Sequence, residues 1–313
     1  MSNTLPPIFI ERLRKLIPNQ DLGSCLDSFS LEKVISIRAN TLKNSFDEVC
    51  SCLDERGIKY SSVKWFKDAL ILHDVKWEQI RESSLFSEGL AYRQSISSML
   101  VPVILSPEPD EDILDLCAAP GSKTTQIAAM MKNKGCITAV DIVKGRYYKL
   151  RSVAQLLGAE NIEFKLIDGR RLRSPDKLFD RVLIDAPCSS EGRFSLLDKK
   201  SYAYWSPRKI KEMCKKQRGL LLNAARLLKN DGLLVYSTCT FAPEENEAVV
   251  DWLIKKIDRN ITVEKIDVTK FDLPTYTAVT EWEGKVFDEK VNNCLRVLPS
   301  RSSDGFFITK IRF

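Results

Sequence analysis

Residues 114–124 read LDLCAAPGSKT: an apolar strand running through Asp115, then small residues at Cys117, Ala118, Ala119, Pro120 and Gly121, then Ser122 and Lys123 opening a helix. A strand that meets an acidic residue and a small-residue turn before a helix is the opening unit of an α/β sheet. In such sheets ligands sit beyond the carboxyl ends of the strands. Two other phosphate-binding loops are excluded. A P-loop needs Gly, four residues, then Gly-Lys-Ser/Thr, but Ser122 separates Gly121 from Lys123 and position 116 is Leu. A G-x-G-x-x-G turn is absent as well, so neither an ATPase nor a nicotinamide enzyme is indicated.

Outward from this loop the chain alternates between strands and helices. The pattern predicts a strand at Ile113–Leu116, a helix near Thr124–Met131, a strand at Cys136–Val140 and a helix at Tyr147–Leu157 ended by Gly158. Strands at 162–167 and 181–184, a long helix over 207–228, a strand at 233–236, a helix over 244–257 and late strands at 295–298 and 306–311 follow. Such alternation predicts a mostly parallel sheet covered on both faces. Residues 1–90 read as a smaller α/β module, with helices over 8–17 and 46–56 and strands at 34–38, 58–65 and 69–72. Residues 92–104 read as a helix leading to a Pro-broken connector, so the expected organisation is a 1–90 module followed by a 91–313 catalytic domain.

Three further strands end in acidic residues: Asp141, Asp168 and Asp185, the last in Asp-Ala-Pro-Cys188. Asp141 lies 20 positions after Gly121, the offset at which a carboxylate accepts both ribose hydroxyls of a nucleoside cofactor. Asp168, one strand on, suits an adenine amino group. Aspartates also cap helices and populate turns, but successive strand-end aspartates favour a nucleoside site.

The 48 Lys and Arg against 42 Asp and Glu give a net charge of +6, with a single histidine, His73, and nine cysteines. Residues 1–90 carry 12 basic and 13 acidic side chains; the rest carry 36 and 29. The surplus gathers at Lys144/Arg146/Lys149/Arg151, at Arg170/Arg171/Arg173, and from Lys199 to Arg218. Any one run also suits a solvated helix face, but three in one half of the chain point toward a polyanionic partner. One histidine excludes the zinc sets that need several and removes the commonest general base. An odd cysteine count without a disulfide framework reads as reduced thiols. No apolar run reaches bilayer length, and Met1–Ile10 lacks a signal-peptide pattern, so a cytosolic protein without membrane or metal partners is expected. A monomer is expected too.

Most of the cysteines read as small buried hydrophobes. Cys188 and Cys239, the latter in Tyr236-Ser-Thr-Cys-Thr-Phe-Ala-Pro-Glu-Glu-Asn246, differ because each sits in a polar loop after a strand. Their positions leave open which thiol attacks a substrate. The stretches LDLCAAPGSKTTQIA, LIDAPCSSEG and YSTCTFAPEENEAVV, with Ser36–Lys43 and Arg93–Met99, resemble the RNA cytosine-5 methyltransferases of the Nop/Sun (Fmu) family. The resemblance implies a Rossmann-like S-adenosylmethionine-dependent methyltransferase fold and an RNA substrate, ribosomal RNA before transfer RNA. It implies a cofactor site at Cys117–Lys123, Asp141, Asp168 and Asp185, with Arg146 nearby. It also implies Cys239 as nucleophile on cytosine carbon 6, Cys188 as the thiol that assists release, and Asp185 as partner of the ring nitrogen. Tyr202, Tyr204 and Trp205 are candidates for base stacking. The competing readings are a DNA-type enzyme whose Pro-Cys thiol attacks, a non-catalytic RNA-binding or ribosome-assembly factor on the same fold, and a small-molecule methyltransferase.

Overall fold

The structure, a computed structural model, describes residues 4–174 and 177–313; the first three residues of the Met1–Ile10 stretch lie outside them. Two helices, α1 (Pro7–Leu16) and α2 (Asn19–Ser28), open the chain. Then come β1 (Ile35–Ala39), α3 (Phe46–Asp54), β2 (Tyr60–Ser62), β3 (Ala69–Leu72), two single-turn helices α4 (Trp77–Ile80) and α5 (Ser84–Ser87), and β4 (Ala91–Arg93). Helix α3 begins where Ser45 and Glu48 form a reciprocal capping box. The four strands form an antiparallel sheet in the order β2-β3-β1-β4.

The helix read over 92–104 is corrected. Ala91–Arg93 pairs with β1, Ile37 opposite Arg93, and helix α6 starts only at Ile96 and runs to Leu105. Edge-strand pairing by β4 outweighs the local helical pattern. Helix α2 had no sequence prediction, because its 19–28 segment carries Gly23 and few apolar residues.

The second sheet is built from β5 (Asp112–Asp115), β6 (Cys136–Asp141), β7 (Ile162–Leu166), β8 (Phe179–Asp185) and β9 (Leu228–Thr238), connected through α7 (Ser122–Met130), α8 (Lys144–Leu157) and α9 (Pro207–Leu227). Their order β7-β6-β5-β8-β9 is parallel throughout. Ile113, Leu114, Ile137, Val140, Val182, Leu183, Ile184, Leu234 and Val235 are fully buried, as expected for parallel strands covered on both faces.

After α10 (Glu247–Lys256) the chain adds β10 (Thr262–Glu264), β11 (Thr275–Thr277), β12 (Glu281–Trp282), β13 (Lys285–Val286), β14 (Leu295–Val297) and β15 (Phe306–Arg312). Strand β15 lies antiparallel on β9, with β14 and then β11 beyond it and β10 along its edge; β12 and β13 form a separate hairpin. The sheet is therefore parallel from β7 to β9 and antiparallel beyond β9, an extension that the expected mostly parallel sheet did not include. Only a short loop joins β14 to β15, and adjacent strands without a crossover helix must run antiparallel.

Two contacts tie the N-terminal residues to this frame. Phe9 of α1 packs on Phe194, with ring centroids 4.8 Å apart, and on Phe29, Trp205 and Phe241. Arg38 of β1 is 1% exposed; its guanidinium donates to Gln94 Oε1 (3.1 Å) and to Thr125 Oγ1 on α7 (3.0 Å). Burial lowers the Arg38 pKa to about 10. No helix among the described residues is long and apolar enough to cross a membrane.

Candidate active site

The order β6-β5-β8 makes β5 the point where the chain switches direction across the sheet, opening a crevice at the strand ends. Asp115 closes β5 at 1% exposure, and its carboxylate accepts from Thr124 Oγ1 (2.7 Å) and the Cys117 amide (3.4 Å). Burial raises its pKa to about 7. Gly121 caps α7 at φ +111°, and a Cβ there would lie 3.1 Å from Leu150 Cδ1, so the loop both requires glycine's backbone freedom and packs tightly on α8. Ala118 and Ala119 are buried, Cys117 and Ser122 half-buried, and Pro120 exposed. The Cys117 thiol is pushed well up by burial and by the Asp115, Asp185 and Asp141 carboxylates, so it stays protonated.

Asp141, at the end of β6, accepts from the Ala119 amide (3.3 Å) and the Val143 amide (2.9 Å), with Arg146 at 3.5 Å; the Arg146 guanidinium also donates to the Ala119 carbonyl. Beyond β7, Asp168 is gripped by Arg170 (2.5 Å), which holds its carboxyl below the usual range. Asp185, at the end of β8, accepts from Lys123 Nζ (2.7 Å) and Ser237 Oγ (3.1 Å). Lys123 also donates to Ser98 Oγ at 2.9 Å. Four strand-end aspartates, the 117–123 loop and Arg146 thus line one edge. Beside them Ile142 is 59% and Ile167 38% exposed, apolar surfaces that sequence reading passed over.

Both loop cysteines reach the same edge. Cys188 Sγ and Cys239 Sγ are 3.3 Å apart, within sulfur hydrogen-bond range, and Ser190 Oγ is 3.8 Å from Cys188 Sγ. The pair is asymmetric. Contact with Cys239 and burial push Cys188 well up; Cys239 is pulled down by the hydrogen bond from Cys188 and by the Arg193 guanidinium. At this contact either sulfur can donate to the other.

A buried polar network holds the two loops in register. Glu191, from the Cys188 loop, accepts from Thr240 Oγ1 (2.8 Å) and the Phe241 amide (3.0 Å) of the Cys239 loop, and from Trp205 Nε1 (2.9 Å). Reciprocally Glu245, past Cys239, accepts from the Ser189 amide (3.1 Å) and from Gln217 Nε2 (2.7 Å) of α9. Ser189 and Thr240 hydroxyls meet at 2.7 Å. In the sequence Glu191 and Glu245 appear only as motif flanks among other polar residues, and no local signal marks them as buried.

Burial raises Glu245 to about 8, against 4.5 for a free glutamate, as it raises Asp115 from 3.8 to about 7. The folded protein therefore binds protons that the unfolded chain releases near pH 4. Stability is expected to fall as pH rises from that point and to level off above about pH 8. Denaturant melts at pH 5 to 9 check this, and Glu245→Gln should shrink the decline; an equal decline in that variant would contradict the cause.

The three aromatic candidates separate. Tyr202 is buried and Trp205 is committed to Glu191 and Phe9, which makes both of them core aromatics, whereas Tyr204 is 91% exposed. The basic runs of α8 are exposed, while Lys209 and Lys216 of α9 pair with Glu212 and leave Arg208, Lys211 and Lys215 to solvent. No cluster of three or more potential metal ligands occurs among the described residues.

Comparison with known proteins gives a consistent set of matches. Residues 102–312 match the family described as 16S rRNA methyltransferase RsmB/F, and residues 5–76 match the RsmF/B-like ferredoxin-like domain. The tRNA (cytosine(49)-C(5))-methyltransferase of Pyrococcus abyssi is 39% identical over 284 residues, covering 88% of this chain and 87% of that one. Ribosomal RNA small subunit methyltransferase F of Pectobacterium carotovorum is 33% identical over 98% of this chain, which spans only 62% of that longer protein. A solved methyltransferase homologue from Pyrococcus horikoshii superposes with a TM-score of 0.79 at 29% identity, covering 98% of this chain and 99% of that one.

Proposed function

This chain belongs to the RsmB/F methyltransferase family and is an S-adenosylmethionine-dependent RNA (cytosine-C5) methyltransferase; from that premise we propose that it works through a covalent Cys239–cytosine adduct that Cys188 helps to resolve. The observation that carries this reading is the pair of thiols 3.3 Å apart at the ligand edge of the sheet.

The edge fits the cofactor. The turn from Ala118 to Gly121 places only small residues at the strand end, Asp141 offers a carboxylate to ribose hydroxyls, Asp168 offers one to the adenine amino group, and Ile142 and Ile167 offer apolar faces to the ring. Cys117 to Lys123, Arg146 and Asp185 complete the proposed lining. Bound there, S-adenosylmethionine supplies an electrophilic methyl group.

The protein's part is to make carbon 5 of cytosine nucleophilic. The Cys239 thiolate adds to carbon 6, the π electrons shift to make an enamine of carbons 4 and 5, and N3 takes a proton relayed from the Lys123 ammonium through the Asp185 carboxylate. Asp185, oriented by Lys123 and Ser237, accepts from that N–H. Once carbon 5 carries the methyl group, N3 returns its proton through Asp185 to Lys123, a water molecule takes the carbon-5 proton, and those C–H electrons re-form the C5–C6 double bond as Cys239 leaves as thiolate; Cys188 stabilises the departing thiolate by hydrogen bonding to it. This order differs from a DNA-type scheme, in which the Pro-Cys thiol attacks, and follows the likeness of the two cysteine loops to those of the family. The target base leaves any stack to reach the thiols. Tyr204 beside Lys199 and Lys200 and the exposed basic face of α8 are the proposed RNA contacts, together with the N-terminal module of residues 1–90, whose sheet is completed by β4.

The family description names small-subunit ribosomal RNA and the Pyrococcus abyssi relative names transfer RNA. Bisulfite sequencing of both RNA pools after incubation with the protein and S-adenosylmethionine decides between them. One newly protected cytosine is expected in one pool; protection in neither overturns the proposal.

A further inference from the structure

Two stretches outside the catalytic sheet, Ser36–Lys43 and Arg93–Met99, take no part in the chemistry above, yet buried side chains from both end on α7, the helix that the cofactor loop opens into. Arg38 donates from Nη2 to Thr125 Oγ1 (3.0 Å) and from Nε to Gln94 Oε1 (3.1 Å). Gln94 carries the contact onward, its Nε2 donating to Gln126 Oε1 (2.7 Å), the next position of α7. The direction of the Thr125 contact is fixed. A guanidinium has donors only, so the Thr125 hydroxyl accepts from it and has a single proton left to give. That proton goes to the Gly121 carbonyl at 2.8 Å, with the Ser122 carbonyl farther off at 3.3 Å. Gly121, at φ +111°, is the residue that turns the loop into α7, and its carbonyl also accepts from the Thr125 amide (2.9 Å). The turn is therefore held from two sides: by Leu150 where a Cβ would stand, and by Thr125 at the carbonyl.

Stability is a poor reason for an arginine in this place. Arg38 is 1% exposed and has no carboxylate within ion-pair distance among the described residues. Its charge also lies near the N-terminal end of α7, where the helix dipole disfavours a cation. Arg296, equally buried, has Glu247 as a counter-ion at 2.6 Å. A buried cation held by neutral acceptors alone contributes little to folding, and what Arg38 does hold is the hydroxyl that grips the cofactor turn.

We propose that Arg38, from the N-terminal sheet, is a positioning residue for the cofactor: through Thr125 it fixes the Gly121 turn in the shape that binds S-adenosylmethionine. The proposal rests on residues 117–123 lining the cofactor site. Calorimetry of the whole protein with S-adenosylmethionine alone tests it, without RNA. Arg38→Met should raise Kd about tenfold, the effect of losing one charge-assisted hydrogen bond. Thr125→Val, which keeps the side-chain shape and removes the hydroxyl, should do the same, whereas Thr125→Ser should stay within about twofold of the wild type. Because both changes break one contact, the Arg38→Met/Thr125→Val double variant should bind within about twofold of either single variant. The binding stoichiometry should remain that of the wild type throughout. A role in folding alone would lower the stoichiometry instead and leave Kd unmoved. If Arg38→Met does not fold, the two Thr125 variants carry the same comparison. An unchanged Kd in Arg38→Met or Thr125→Val, or losses that add in the double variant, overturns the proposal. Asp141→Ala, at the end of the neighbouring strand, should weaken binding at least as much; an unchanged Kd there would overturn the placing of the cofactor site itself.

Discussion

Replacement of Cys239 by alanine is expected to abolish both methyl transfer and the covalent enzyme–RNA complex, whereas Cys188→Ala should lose turnover yet accumulate that complex. The two sulfurs are in contact at 3.3 Å, so geometry alone treats them alike, and the expected difference comes from their chemistry. Without Cys239 no thiolate reaches carbon 6, and turnover should drop by at least about a thousandfold, in line with removal of a covalent nucleophile. Without Cys188 the attack still proceeds, but the leaving sulfur has lost its hydrogen-bond donor. Denaturing gels with labelled RNA and S-adenosylmethionine read both outcomes: a shifted band should be absent in the Cys239 variant and strongest in the Cys188 variant. The reverse pattern would reassign the nucleophile to Cys188.

The largest expected effect on stability lies away from the chemistry, at Arg296 and Glu247. Arg296 on β14 is 1% exposed, and its guanidinium forms a bidentate pair with Glu247 in the first turn of α10, both contacts at 2.6 Å. Its remaining donors reach the Phe241 carbonyl (2.9 Å) and Tyr276 hydroxyl (3.0 Å), and Glu247 also accepts from the Val279 amide. The pair clamps the antiparallel extension of the sheet to the helix that follows the Cys239 loop. Glu247→Ala leaves an unpaired buried cation and is expected to cost about 3–5 kcal/mol in denaturant unfolding. The double replacement of Glu247 and Arg296 by methionine should cost less than the sum of the single changes, because neither partner is then left uncompensated. Additive losses would show that the two side chains act independently.

Some of this site was legible in the chain and some was not, and the division follows the range of the interactions. Asp115, Asp141, Asp168 and Asp185 could be read because each closes an apolar strand, and one face of a covered sheet gathers all strand ends on the same side. Tyr202, Tyr204 and Trp205 looked equivalent in sequence, but only Tyr204 is exposed; the other two are claimed by Phe194, Phe9 and Glu191, up to nearly two hundred residues away. The same distance in sequence hid the roles of Glu191 and Glu245. A buried carboxylate and a surface one look identical as letters, and their pKa values differ only because the fold removes water from one of them.

By itself the sequence determined the strand-end loop LDLCAAPGSKT, the alternation that yields parallel strands flanked by helices, and the presence of two thiols in loops that follow strands. These are local: apolar period, small-residue turns and polar punctuation are written within a few residues of where they act. The tertiary structure alone decided that β4 leaves the helix it was read into, that β15 and β14 add an antiparallel extension to the parallel strands, and that Cys188 and Cys239 meet at 3.3 Å. Each depends on pairing between distant segments. The thiol pair depends on it most, because 51 residues separate two sulfurs whose shared proton exists only once the fold brings them together.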